Sequence, residues 1–164
     1  MIKKLLTLTL IATLSTVSAH AETMKVPSDD AAVASITFPD SWEQNEIDNG
    51  VSAQSSDSAV FMSIVSIESE KGMDAEIDDT FAMLKEHKVE LDQSSKKENK
   101  FKIGEYDAEE MLFQGKDQDG PTAVSITFVT VKDKVLVITY WVSTEDEAEH
   151  SDEITAIVKS IKAI

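Results

Sequence analysis

Two of the three histidines, one short Asp-rich loop and one run of acids are the groups in this sequence whose types and spacing could do chemistry. His87 and His150 each stand in polar helical or pre-helical sequence with no second ligand at matched spacing, and they read as surface histidines without a task. Asp117-Gln118-Asp119-Gly120 has the opening of a calcium loop. Pro121 follows, however, and the later ligand positions are missing, so hairpin-turn chemistry accounts for it. Glu145, Asp146, Glu147, Glu149, Asp152 and Glu153 crowd together in a way that suits a solvated helix N-terminus, where the dipole favours negative charge. With 31 carboxylates in the chain, some pairs fall close by chance, so no acid/base dyad stands out. There is no cysteine, no G-x-S-x-G elbow, no phosphate loop and no dinucleotide fingerprint. The sequence therefore names no catalytic residue, no cofactor and no metal ligand, and the chain reads as not an enzyme.

Two features remain as binding surface. Lys96, Lys97, Lys100 and Lys102 gather positive charge in an otherwise acidic chain, with Phe101 and Ile103 alternating against them. A lysine-decorated strand resists edge-to-edge pairing, but it is also the one place where an acidic partner could approach without strong repulsion. Lys96, Lys97, Lys100, Phe101 and Lys102 are thus the candidate partner-binding residues. Trp42, after a turn, and Trp141, on an apolar run, read as packing residues.

The elements that position these groups follow an export signal. Lys3 and Lys4, the apolar run Leu5 to Leu14 and the small-x-small site Ala19-His20-Ala21 predict a secretory signal peptide over residues 1–21. The apolar run is too short to span a bilayer, and no cysteine is present to carry a lipid, so a soluble periplasmic product without a membrane anchor is expected. Losing the two signal lysines takes the formal charge from −16 to −18. An acidic, arginine-free domain disfavours nucleic-acid, nucleotide and anionic-lipid ligands, which leaves an unknown protein partner in the cell envelope.

Residues 22–31 read as a flexible segment before a single domain over 32–164. Ala32 to Phe38 predicts a strand, Asp48-Asn49-Gly50 a hairpin turn, and Val51 to Gln54 and Ala59 to Glu68 strands. From Asp74, a plausible N-cap, the period becomes helical, with Ile77, Phe81, Leu84 and Lys88 on one stripe. Strands follow over 96–103, 108–116, 123–131 and 135–143, and short links between them imply antiparallel pairing. Val135 to Val142 is apolar on both alternating faces and should lie mid-sheet. Thr144 and Glu147 have capping-box spacing before a helix with the stripe Ile154, Ile157, Val158 and Ile161.

The order β-β-β-α-β-β-β-α, opening on Phe38-Pro39-Asp40-Ser41-Trp42, resembles the PsbP-like superfamily. That group includes the photosystem II extrinsic protein, the Ran release factor and bacterial envelope proteins of the DcrB and LpqN type. The resemblance covers Ala32 to Lys162. It implies an α+β fold, an antiparallel sheet sandwiched by helices, and a role in binding or assembling other components rather than catalysis. The envelope relatives are often lipoproteins, and their tethering does not carry over to a chain without cysteine. The expected function is a soluble periplasmic accessory or binding protein acting through protein contacts. The alternative is a small-molecule or cation-binding protein with a pocket between sheet and helix.

Overall fold

Strand Lys134–Ser143, apolar on both of its faces, lies in the middle of a seven-stranded antiparallel sheet. The computed structural model describes residues 21–68 and 72–164. The signal-peptide reading, apart from Ala21, falls outside the described residues.

In chain order the strands before the first helix are β1 (Ala21–Val26), β2 (Ala34–Pro39), β3 (Glu43–Ile47), β4 (Gly50–Gln54) and β5 (Val60–Ile67). Helix α1 (Met73–Glu86) precedes β6 (Glu90–Ile103), β7 (Tyr106–Lys116), β8 (Pro121–Val131) and β9 (Lys134–Ser143). Helix α2 (Glu147–Lys159) and the short β10 (Lys162–Ala163) close the chain. The large sheet runs β3-β4-β5-β9-β8-β7-β6, and β1-β2-β10 form a second sheet.

Alternation along β9 separates two cores. Leu136, Ile138 and Val142 face one side, where they pack with Phe38, Ile154, Ile157 and Ile161 from β2, α2 and the chain end. Val135, Val137 and Trp141 face the other, with Leu84 of α1 and Phe113 of β7. The α+β sandwich is therefore α1, then the large sheet, then α2 beside the small sheet. Both expected helix stripes face these cores. Leu84, Ile138, Ile154, Ile157 and Ile161 are buried, and Ile77, Phe81, Tyr140 and Val158 are half-buried.

Several local expectations change. The segment 22–31, read as flexible, begins in β1, which pairs antiparallel with β2 from Ala21↔Pro39 to Val26↔Ala34. Its polar residues gave no apolar alternation to read, because ladder hydrogen bonds and the single buried Val26 hold it. Helix α1 starts at Met73 with Gly72 at its N-cap, so Asp74 lies inside the first turn and acts through the dipole. Lys88 lies past the helix end with φ of 63°, and is exposed. The Thr144–Glu147 capping box does not form. Asp146 is the N-cap of α2, and the Thr144 hydroxyl instead donates to the Pro121 carbonyl at 3.2 Å. In the β3–β4 hairpin Asn49 takes the left-handed conformation (φ 58°), and Gly50 serves close packing, since a Cβ there would collide with the Ile64 carbonyl oxygen.

Candidate functional site

Strand β6 is the edge of the large sheet and hydrogen-bonds only to β7 among the described strands. The register shifts between Asp92 and Lys97, where the Ser95 hydroxyl accepts the Gln114 N–H at 2.8 Å; from Lys97 to Ile103 the ladder is regular. This alternation divides the five candidate partner-binding residues between two faces. Lys96, Lys100 and Lys102 share one, and each meets a carboxylate. Lys96 pairs with Glu98 at 2.7 Å, Lys102 with Asp107 at 2.6 Å, and Lys100 with Glu109. The strip is therefore largely neutralised by its neighbours, and its lysines offer an acidic partner less charge than the sequence suggested.

Lys97 and Phe101 lie on the other face. Phe101 is 40% exposed and stands at a cleft of about 210 Å³ between the large sheet and α2. Ile103, Ile154 and Val158 give the cleft apolar walls, and Glu110, Thr127 and Tyr140 give it polar groups. Glu110 accepts from Asn99 Nδ2 at 3.0 Å and from Ser125 Oγ at 2.8 Å. Burial, together with the charge of Glu110, raises the Tyr140 phenol above its ordinary value.

His150 is not a surface histidine. It is 7% exposed, its Nε2 lies 3.0 Å from Asp57 Oδ2, and its Nδ1 lies 3.1 Å from Glu153 Oε2. A neutral imidazole has one N–H to share between two acceptors, so the imidazolium is the form that satisfies both. Burial of the ring acts to lower its pKa, but the bonds to Glu153 and Asp57 outweigh burial and raise it above the ordinary 6.5. Asp57 is held down at about 2 by the Ser55 hydroxyl, the Ala59 N–H and His150. The cluster ties the β4–β5 loop to α2. One sequence signal pointed to it: His150 continues the buried stripe of Ile154, Ile157 and Ile161 by one turn. Its partner Asp57, 93 residues away, had no such signal.

His87 is exposed, as read, but its ring lies 5.0 Å from Phe61 and 5.1 Å from Trp141, and those two stack at 4.4 Å. Trp42 is buried against Phe38. The Asp117 loop closes on itself, with Oδ1 accepting from the Asp119 and Gly120 amides at 2.9 and 3.0 Å. Among the described residues no group of three or more His, Asp or Glu is placed to hold a metal ion, and no helix is long and apolar enough to cross a membrane.

The sequence pattern of the DcrB family matches residues 34–160. None of the curated proteins compared gives a significant match. By structure the chain is similar to cyanobacterial PsbP from Synechocystis sp. PCC 6803, at 8% identity over 89% of this chain and 94% of that one, with a TM-score of 0.60. It is also similar to LpqN of Mycobacterium tuberculosis, a protein involved in cell envelope biogenesis, at 13% identity over 88% and 91% with a TM-score of 0.50. The Ran-binding protein Mog1p of Saccharomyces cerevisiae overlays at 10% identity over 88% and 96%, with a TM-score of 0.49. At such identities the likeness speaks for the fold, which is the PsbP-like one.

Proposed function

The chain belongs to the DcrB family, and from that premise we propose that it is a non-catalytic accessory protein of the cell envelope that docks an extended segment of a partner protein along β6. The observation that carries this reading is the pairing of an open edge with an anchor point. Among the described residues no strand pairs with the outer edge of β6, and Phe101 stands exposed at the mouth of the α2 cleft beside that edge. Export supports the same reading. Cleavage after Ala21 removes the signal and leaves Glu22 to Val26 to form β1, and mass spectrometry of the exported protein should find Glu22 at its N-terminus. The product is soluble and periplasmic, and a salt wash should leave none of it on membranes.

A small-molecule or cation-binding role is the second reading, favoured by the same cleft. Its volume of about 210 Å³ lies below the roughly 300–1,000 Å³ of drug-sized pockets. Glu110 is the one carboxylate among the described lining residues, too few oxygens for a hard cation's shell. For this cleft, docking therefore leads.

Site-specific crosslinking tests it, because the opposite edge offers a matched control. Ile47 on β3 is 39% exposed, much as Phe101 is 40%. A photo-reactive side chain at 101 should yield one discrete adduct in exporting cells, and the same group at 47 should not. Equal patterns from both edges would remove β6 as the docking strand.

A further inference from the structure

We propose that the cleft beneath α2 receives a lysine or arginine side chain of the segment docked on β6, with Glu110 as the group that holds its charge; this rests on the reading of β6 as a docking edge. Asn99, Glu110 and Thr127 stand opposite one another across β6, β7 and β8, so their side chains form one row on the α2 side of the sheet. Glu110 is half-buried and is held by neutral donors alone, the Asn99 amide and the Ser125 hydroxyl. Ser125 and Thr127 are 1% and 4% exposed and share a 3.3 Å contact, so the floor beneath the carboxylate is fixed.

Among the described residues no cation pairs with Glu110. Lys100 is taken by Glu109; Lys102 lines the rim of the cleft but is taken by Asp107, and Lys159 lines it from α2 with no ion pair among the described residues. A carboxylate in a partly apolar cleft lacks the cation that its charge would bind more strongly there than in water. Phe101 and Tyr140 add aromatic faces, which also suit a cation.

Geometry makes the donor a long side chain. Sheet strands lie about 4.8 Å apart, so a strand added outside β6 runs about 10 Å from β7, a span that extended lysine or arginine can bridge to a carboxylate leaning toward Asn99. The formal charge of −16 draws a basic segment toward this surface and repels an acidic one. The partner is thus a protein with an extended, basic segment, opposite in sign to the acidic partner that the lysine strip suggested.

Three synthetic peptides of alternating threonine and valine test this, identical except for a central lysine, norleucine or glutamate. Each is titrated into isotope-labelled wild type and Glu110→Gln protein, reading amide shifts along β6 and the Kd. Glutamine keeps an acceptor for Ser125, and the peptide series on wild type stands even if that variant folds poorly. The lysine peptide should shift β6 amides and bind at least about tenfold more tightly than the norleucine peptide, the scale of one charged hydrogen bond. Glu110→Gln should abolish that preference and leave norleucine binding unchanged. Equal affinities for lysine and norleucine with β6 still perturbed would overturn the role of Glu110 and spare the docking edge. No β6 shifts with any peptide at millimolar concentration would overturn both.

Discussion

The two charged regions of this molecule, the lysine strip on β6 and the histidine cluster at α2, invert the weight that their residues carry in the sequence. The strip concentrates four lysines in seven residues, yet its ion pairs are exposed, with side chains from 40% to 83% accessible. Such pairs contribute little, since water and salt screen them. His150 is one residue among polar neighbours, yet it is buried between carboxylates from a distant loop and from its own helix. Charge density along a strand is local and legible; the energetically heavier arrangement comes from convergence of separate segments on one buried ring.

The largest effect tests the frame on which both regions rest. Ile157 is 1% exposed on α2, the helix that carries His150 and walls the cleft. Ile157→Ala should cost about 2–5 kcal/mol in urea denaturation. A loss below about 1 kcal/mol would mean that α2 is not docked as described.

The contrast itself is tested next by His150→Gln, which should cost about 1–2 kcal/mol near pH 6, moderated by the half-exposed Asp57. The imidazolium is the bound form, and the folded pKa is raised, so this contribution is complete below pH 6.5 and is lost as pH rises through the raised value. Asp57 behaves oppositely. Its pKa falls from 3.8 to about 2, so its contribution holds above pH 3.8 and disappears as pH drops toward 2. The difference in Tm between wild type and His150→Gln should therefore be greatest between about pH 4 and 6.5, and a difference independent of pH from 5 to 9 would dissolve the cluster's special status.

Smaller still is the effect of replacing Lys96, Lys97, Lys100 and Lys102 together by glutamine. The Tm should stay nearly unchanged, and what change there is should shrink with added salt. A loss as large as that of His150→Gln would place the strip on a par with the histidine cluster. The smallest effect concerns metal. EDTA should leave the Tm unchanged, and a shift of several degrees would revive the Asp117 to Asp119 loop or the Glu145 to Glu153 run as a cation site.

Much of the architecture was legible because it is written in short-range periodicity. Val135 to Val142, apolar at every position but Thr139 and Tyr140, had to be covered on both faces, and β9 is the middle strand. The stripe Ile154, Ile157 and Ile161 likewise had to face a core. Hydrophobic burial is proportional to area and indifferent to partner, so pattern alone specifies which side goes in. Polar function lacks that property. Glu110, Asn99 and Ser125 became one group through strand register, and Asp57 met His150 across 93 residues because the β4–β5 loop packs against α2. Strand β1 escaped notice because backbone hydrogen bonds, which any residue can make, hold it. The sequence by itself determined the strand and helix periods, the acidic charge and the lack of thiol chemistry. The split of the lysine strip, the cleft at Phe101 and the burial of His150 were decided by the tertiary structure, because hydrogen bonds and ion pairs are directional and short, and their partners are chosen only once the chain has folded.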